Sequence, residues 1–452
     1  MKELISQPIL LHMVAVLQGG IDLKANRAQI YDNLYTQLIN RSWDKEGPID
    51  GLQGLTKDSL REFLREIAFA IFVSGKEYIH KSTLSNLPAT KLFIQNLDNT
   101  AFKDSLKRIM IAFYFQETKK DKSAFDSDDQ YNYAIEFLHK SLQEYLVAEK
   151  IWRSILEFVE KKSGGRYVID QDEQALLETS KIFSTRLMTE EVRNYLEEII
   201  SNDCTIDKSE LCIRLEKFFP YCLDQQFYTR SAEMPNTTIH SAFSNCYGYW
   251  FIMSHLNQNR NLIPPSHKDK FAWFLKLLDG ENTPINLSWQ NLSTTYLEGT
   301  NFNGANLSFG IFKRAVMNRC SIERAHLEET DFSYAELKLA TFEGTNLKKT
   351  NFKASRLVQT CFEHASLSYC NFYDSNCYAA SFAYSKFEGI IFDLCIVGNA
   401  VFERTHNLNP EMFVSSRFYS EVFDFSRSLV KKIELLKKEK GIPLDKPVKK
   451  IK

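Results

Sequence analysis

The 452-residue chain has no run of about 18 apolar residues, so no membrane-spanning helix is expected. Its first residues, Met1-Lys2-Glu3-Leu4, lead into no apolar stretch of the kind a secretory signal needs. An excess of charge is also lacking: 56 basic and 57 acidic residues leave a formal net charge of -1. So even a balance points neither to a nucleic-acid binder nor to an acidic mimic of one. The nine cysteines show no CxxC spacing, which reads as reduced, mostly buried thiols in a cytoplasmic protein. No G-x-x-x-x-G-K-[ST] phosphate loop is present; Gly19-Gly20 and Gly164-Gly165 lack a following Lys-Ser or Lys-Thr and read as turn or linker glycines. His240, His255 and His267 stand 15 and 12 residues apart with Cys246 between them, too far for the paired ligands of a zinc site. No nucleophile signature appears either. The chain therefore reads as non-enzymatic, with no metal and no cofactor of its own.

What is present is a period of five. From Leu287 the register runs Leu292, Leu297, Phe302, Leu307, Phe312, Met317, Ile322, Leu327, Phe332, Leu337, Phe342 and Leu347. It continues through Phe352, Leu357, Phe362, Leu367, Phe372, Cys377, Phe382, Phe387, Phe392 and Val397 to Phe402. These 24 steps contain no slip, and only Cys377 is less than a large hydrophobe. Two residues before most steps the side chain is small, as at Thr300, Ala305, Gly310, Ala315, Cys320 and Ala325. The other positions are mostly polar. A helix needs a period near 3.6 and a strand a period of 2. Five fits a chain that turns a corner with every unit.

Ala305-Asn306-Leu307, Thr330-Asp331-Phe332, Thr345-Asn346-Leu347 and Thr350-Asn351-Phe352 resemble the A-[D/N]-[L/F]-x-x unit of the pentapeptide-repeat family. That resemblance implies a right-handed, four-sided β-helix with one unit per side. Twenty-four units then make six coils, a column roughly 29 Å long at about 4.8 Å per coil. The alternation of Leu and Phe from Leu297 to Phe372 would place Phe on two opposite sides, stacked in two ladders. It fails after Cys377, so a wider or less regular last coil is expected. Open ends of a solenoid need caps. Asn409-Pro410-Glu411 predicts a helix from about Pro410. Trp273, Phe274, Leu277 and Leu278 are the candidates for the other end.

In the N-terminal half, Leu60, Phe63, Leu64, Ile67, Ala68 and Ile71 form a helical stripe, with Thr56 as N-cap and Gly75 as terminator. A short helix is expected over Ser82 to Leu87. Alternation from Tyr133 to Leu138 predicts a strand. Ser141-Leu142-Gln143-Glu144 reads as a capping box opening a helix. His139, at the junction, reads from its spacing alone as a structural histidine.

Phe137 to Ala148 closely resembles the motif that ends the winged-helix domain of NACHT-type STAND NTPases. Ile5-Ser6-Gln7-Pro8-Ile9-Leu10-Leu11 looks like the start of that family's small helical domain, and Asn26 to Tyr31 and Leu55 to Phe72 fall in the expected order. The resemblance covers about residues 1–160. It implies that His139 touches the β-phosphate of bound ADP and that Pro8 packs near the adenine. Both roles, and ADP or ATP with Mg, require an NTPase core, which would lie upstream of Met1.

The expected organisation is α+β and multidomain. A helical domain over 1–50 precedes a winged helix over 51–160 and a helical linker over 161–284. The right-handed quadrilateral β-helix follows over 285–404, and a capping helix with a basic tail over 405–452. Residues 161–284 read as mostly helical, with loops near Met234-Pro235 and Pro264-Pro265, and their aromatics as core. Residues 431–452 carry nine lysines against three acids. They read as a solvated helix end and tail, or as a weak contact for an anionic partner. The expected function is a sensor and protein-interaction module of a NACHT-type NTPase, in prokaryotic antiviral defence or signalling. Its partners would be a protein trigger on the repeat surface and an NTPase core in cis or in trans, with no membrane. The alternative is a stand-alone repeat protein that mimics DNA and protects a topoisomerase. Between Leu287 and Phe402 stand 11 acidic and 10 basic residues, far too even for a phosphate-backbone mimic.

Overall fold

A computed structural model describes residues 25–40, 57–80, 83, 87, 115–119, 133–137, 139–159, 162–163, 166–167, 180–183, 186–227, 239–280, 283–417 and 427–443. Pro8, Thr56 and nearly all of the helix expected over Ser82 to Leu87 lie outside these residues. The chain divides into two compact units, Met1–Leu211 and Cys212–Lys452. Among the described residues no helix is long and apolar enough to cross a membrane.

The first unit contains α1 (Arg27–Asn40), α2 (Lys57–Ser74), β1 (Tyr78–His80), β2 (Phe115–Lys119), β3 (Tyr133–Phe137), α3 (Lys140–Val159) and α4 (Glu190–Asn202). The α2 stripe is buried as its spacing demands, from Leu60 through Phe63, Leu64, Ile67 and Ala68 to Ile71. Gly75, at φ +70°, ends that helix in the left-handed turn a side chain would oppose. β3 is the central strand of an antiparallel sheet ordered β1-β3-β2, with Ile79 opposite Ile135 and Gln116 opposite Glu136. Besides helices, residues 161–284 contain a short antiparallel pair, Lys162–Ser163 with Arg166–Tyr167.

In the second unit α5 (Lys208–Phe227, which crosses the unit boundary), α6 (Ile239–Leu256) and α7 (Lys268–Leu275) precede the column. Phe218, Phe219, Tyr247, Tyr249, Trp250 and Phe251 are buried, so this aromatic richness is core. The top of the column is closed by α6 and the turn after it. Trp250 Nε1 donates to Asn286 O at 2.8 Å, Tyr247 Oη to Pro284 O at 2.8 Å, and Asn291 N to Asn261 Oδ1 at 2.9 Å. Of the expected apolar caps Phe274 and Leu278 are buried, but Trp273 is 37% exposed. The eight-residue α7 turns Phe271 inward instead, 4.5 Å from the Trp250 ring.

Residues 285–417 form the column. Parallel bridges join residues 20 apart, Asn286 to Asn306, Ile311 to Asp331 and on to Lys386 with His406, so four units make each turn. All 24 register side chains are buried. The unit around Phe332 shows where the backbone amides go. Asp331 N donates to Gly310 O, Phe332 N to Asn351 O, Tyr334 N to Lys353 O and Ala335 N to Phe332 O. The fifth amide, Ser333 N, donates to Asp331 Oδ1 at 2.9 Å. Asn286, Asn306, Asn351 and Asn371 do the same for the residue two ahead. This is why Asn or Asp recurs before the central residue: its side chain accepts an amide that no strand reaches.

Phe rings stack with the coils. Phe312, Phe332, Phe352, Phe372 and Phe392 form one ladder at 5.1–5.5 Å. Phe342, Phe362, Phe382 and Phe402 form the other at 5.0–5.1 Å. The coil after Cys377 keeps the register of those before it. Bridges keep their 20-residue spacing through Lys386–His406, because Phe387 lies across the coil from the small Cys377 and Val397, which offset its bulk. Irregularity begins later, where Ile396 pairs with Arg417, a slip of one residue. The helix expected from Pro410 is only a 3₁₀ turn, Pro410–Phe413, capped by Asn409 Oδ1. The turn stops short because Phe413 drops under Phe392, at 5.0 Å, and extends the first ladder. A helix α8 (Arg427–Glu439) packs against this turn, burying Ile433. One tail lysine is not solvated: Lys437 is buried and donates to Ser416 O at 2.7 Å.

Gly310 holds one of the small inward positions. A Cβ there would stand 2.8 Å from Leu307 O and 2.9 Å from the Phe312 ring. Gly310→Ala is therefore expected to lower stability by about 1–3 kcal/mol through overpacking, measurable by urea denaturation, although alanine fills this position in other coils.

Candidate interaction surface

Each unit spends two side chains inward and three outward. The residue two after each central one always has positive φ, from Trp289 at 67° to Arg404 at 50°, and in most units it is not glycine. A hydrogen bond such as Gln290 N to Leu287 O closes the turn. Positive φ at the third position marks a type II geometry. These corner residues project from the column, so their identity is free to vary in chemistry but not in conformation.

The four faces can be named by their central residues. Face 1 carries Leu287 and Leu307, face 2 Leu292 and Phe312, face 3 Leu297 and Met317, and face 4 Phe302 and Ile322. Face 1 is an ion-paired surface, with Lys348 Nζ 2.7 Å from Glu328 and Lys349 Nζ 2.6 Å from Glu329, one coil apart. Lys348 holds the exposed Glu328 carboxyl below its ordinary value. Face 3 pairs Arg319 with Glu298 and Arg356 with Glu336, each at 3.6 Å. Face 4 stacks Glu323, Glu343 and Glu363 in successive coils, with Ser381 Oγ donating to Glu363 at 2.7 Å. Burial raises the Cys361 thiol beside them, and these three carboxylates raise it further. Such alternation of sign between faces and along them is unlike the continuous negative charge of a nucleic-acid backbone.

The sequence did not mark which outward residues are exposed aromatics. Tyr296, Tyr334, Tyr369, Tyr373, Tyr378 and Tyr384 all are. Tyrosine is a common hot-spot residue of protein interfaces.

His139 lies in the other unit, at the N-terminus of α3. Its Nδ1 accepts from Ser141 N at 3.2 Å and meets Ser141 Oγ at 2.5 Å. The helix therefore begins at Lys140 with His139 as its cap, two residues earlier than a Ser141 capping box. Glu144 instead faces Lys140 at 3.7 Å. Tyr31 Oη joins the group, 2.6 Å from Ser141 Oγ.

Burial lowers the His139 imidazole below its usual value. A group depressed in this way binds its proton more readily in the unfolded chain. Its contribution is full above the unfolded value, about 6.5, and is lost as pH falls from there toward the folded value. His139→Asn keeps a capping acceptor that does not titrate. The expected result is that wild type loses thermal stability relative to His139→Asn as pH drops below about 6.5; parallel melting curves across pH 5–8 would remove that role.

Among the described residues no group of three His, Cys, Asp or Glu side chains is placed to hold a metal. His255 Nδ1 bonds Phe251 O at 2.7 Å, and His267 faces Asp224.

Two family models match the column: a pentapeptide repeat region over residues 315–392, and pentapeptide repeats, a family model of eight copies, over residues 285–319. No curated protein matches the chain. Solved structures that resemble it include Rfr23, a pentapeptide repeat protein from the cyanobacterium Cyanothece, at 21% identity, covering 25% of this chain and 82% of that one with a TM-score of 0.19. HetL, a pentapeptide repeat protein involved in heterocyst differentiation regulation in a Nostoc cyanobacterium, is 16% identical over 29% of this chain and 71% of its own, with a TM-score of 0.17. A trypsin-treated variant of QnrB1, a plasmid-mediated fluoroquinolone resistance protein, is 16% identical over 35% of this chain and 85% of its own, with a TM-score of 0.22.

Proposed function

Because residues 285–392 are a pentapeptide-repeat region, we propose that the chain is a non-catalytic recognition module whose column binds a protein partner. The observation that carries this reading is the division within each unit. The inward positions are consumed by packing, while three outward side chains per unit vary across a rigid frame. Recognition then resides in shape and scattered outward residues. The experiment is a scan of paired alanine substitutions along the four faces and at exposed residues of 161–284 in the full chain, read by crosslinking capture of the partner and by melting temperature. Lost capture at unchanged melting supports the reading. Loss confined to substitutions in residues 161–284 overturns it.

The finer reading adds that residues 1–160 are the helical and winged-helix domains of a NACHT-type STAND NTPase, acting in prokaryotic antiviral defence or signalling. What supports it is the order α2, antiparallel sheet, His139, α3. The histidine's chemistry also fits a phosphate contact. With Nδ1 engaged as an acceptor, the neutral ring carries its proton on Nε2, a donor suited to a phosphate oxygen. Pro8 is the proposed adenine neighbour. Both contacts need an NTPase core joined to the chain or supplied in trans. In such an assembly His139→Ala should weaken ADP binding; unchanged affinity leaves His139 as a helix cap alone.

A further inference from the structure

The cations of the column are not all used. On face 1 Lys348 and Lys349 are paired, as are Arg319 and Arg356 on face 3 and Arg404 on face 4, while Lys386 of face 1 and Lys338 of face 3 have no ion pair among the described residues. On face 2, no carboxylate among the described residues lies within ion-pair distance of Lys313, Arg314 or Lys353, all exposed. They stand over tyrosine rings instead. Lys313 Nζ is 5.8 Å and Arg314 Cζ 5.7 Å from the Tyr334 centroid, and Lys353 Nζ is 5.3 Å from that of Tyr373. Lys313 and Lys353 hold the same face position two coils apart, about 10 Å by strand spacing. Between them the equivalent position is Ser333, which is buried. The result is a run of cations down face 2, in which Lys313 and Lys353 each lean onto the tyrosine of the coil below, with the buried Ser333 between their coils.

The same face is the most apolar on its outside. Ile311, Tyr334, Tyr373 and Ile391 are exposed there, against three such residues on face 3 and one each on faces 1 and 4. Its nearest acid, Asp331, is engaged by Asn351 Nδ2 and Ser333 N. Asp374 and Asp393 lie in the fifth and sixth coils, below Lys313 and Arg314 of the second coil and Lys353 of the fourth. At the first coil Lys268 adds a cation that bonds Asn291 and Ser293.

We propose that face 2 is the docking surface for an acidic protein segment, with its carboxylates meeting Lys313 and Lys353 and an apolar side chain against the exposed Ile311. The proposal rests on the reading of the column as a recognition surface and names the partner's chemistry. Charge complementarity carries it: exposed Tyr and Arg beside unpaired lysines suit a partner that brings carboxylates. Single-stranded nucleic acid would also bring negative charge, but its bases must stack on tyrosine faces. The cations already cover Tyr334 and Tyr373.

The test uses the full chain and a fluorescein-labelled decapeptide with four glutamates, followed by anisotropy at low salt, with the glutamine version as control. Lys313→Glu with Lys353→Glu is expected to weaken binding of the glutamate peptide about ten-fold or more, and Lys313→Gln with Lys353→Gln by less. Lys338→Glu with Lys386→Glu makes the same charge change on faces 3 and 1 and should leave affinity nearly unaltered. An equal loss there would mean general attraction and overturn the proposal. So would tighter binding of a ten-nucleotide oligothymidylate than of the peptide. If the peptide ignores face 2 while the alanine scan still loses partner capture elsewhere on the column, this proposal fails and the recognition reading stands. If no column substitution matters in either assay, both fall.

Discussion

Phe352→Ala is expected to destabilise the column by about 4–5 kcal/mol, the upper end of the range for a buried Phe replaced by Ala. Phe352 is fully buried. Its ring stacks on Phe332 at 5.5 Å and on Phe372 at 5.1 Å, and meets the edges of Phe342 and Phe362, each at 5.6 Å. Truncation therefore opens a cavity and removes four aromatic contacts, each adding about 0.5–1.5 kcal/mol beyond burial. Coils above and below are held at fixed spacing by backbone hydrogen bonds, so the void cannot close by collapse. Position in the ladder should matter, because a solenoid is stabilised through nearest neighbours. Phe413→Ala, at the end of the ladder, stacked on Phe392 and edge-on to Phe402 at 5.3 Å, is expected to cost less, about 3 kcal/mol. Phe352→Leu should cost only about 1–2 kcal/mol, since Ile322 already stands between Phe302 and Phe342 without disturbing the coil bridges. Urea dependence of amide exchange within residues 330–380 reads these differences. A Leu variant as unstable as the Ala variant would show that ring stacking contributes little and shape everything.

The column was legible because its period is short and unbroken. A residue every five steps must point inward, and stacked coils bury it whatever its neighbours are. What the period does not disclose is the corner. Positive φ at Trp289, Arg314, Tyr334 and Lys349 carries no glycine signal. The steric cost of that conformation is offset by a backbone hydrogen bond to the next coil, as from Tyr334 N to Lys353 O, which only the assembled solenoid provides. Pairwise volume exchange was equally hidden. Phe387 looked too large for its coil until Cys377 and Val397 proved to lie across from it.

Signals at element ends were half legible. Asn409-Pro410 does start a helical turn, but the core's demand for Phe413 stops it after one. Ser141 and Glu144 look like a capping box, yet the imidazole of His139 takes the amide first. Three-residue patterns compete with any acceptor the preceding strand brings near, and a histidine is not in the usual capping set. The outward face that matters for a partner was least legible. Which lysine is paired depends on a residue 20 positions away, in the next coil and not in the next unit.

Glu149→Gln should have the largest effect in the other unit, a loss of about 3–5 kcal/mol, because it would leave two buried guanidiniums without their shared counter-charge. Glu149 on α3 is buried and receives Arg65 at 2.8 Å and Arg61 at 2.9 Å, both from α2. Neither arginine side chain is more than 14% exposed. Burial opposes the charge on Arg61, but Glu149 and Asp32 more than offset it and raise its pKa, so the guanidinium cannot escape by losing its proton. Glu62, paired with Arg65 and Lys150, is a partial substitute: burial pushes its carboxyl up, and those two cations pull it below the usual range. A depressed carboxylate stabilises the fold above its unfolded value, about 4.3, and loses that contribution as pH falls through the folded one, so the network should fail in acid. The discriminating measurement is a double-mutant cycle in urea. Arg65→Met added to Glu149→Gln is expected to restore part of the loss, because it removes the charge that the first substitution stranded. If the second substitution simply adds its own penalty, packing of the side-chain stems and not charge pairing holds α2 to α3.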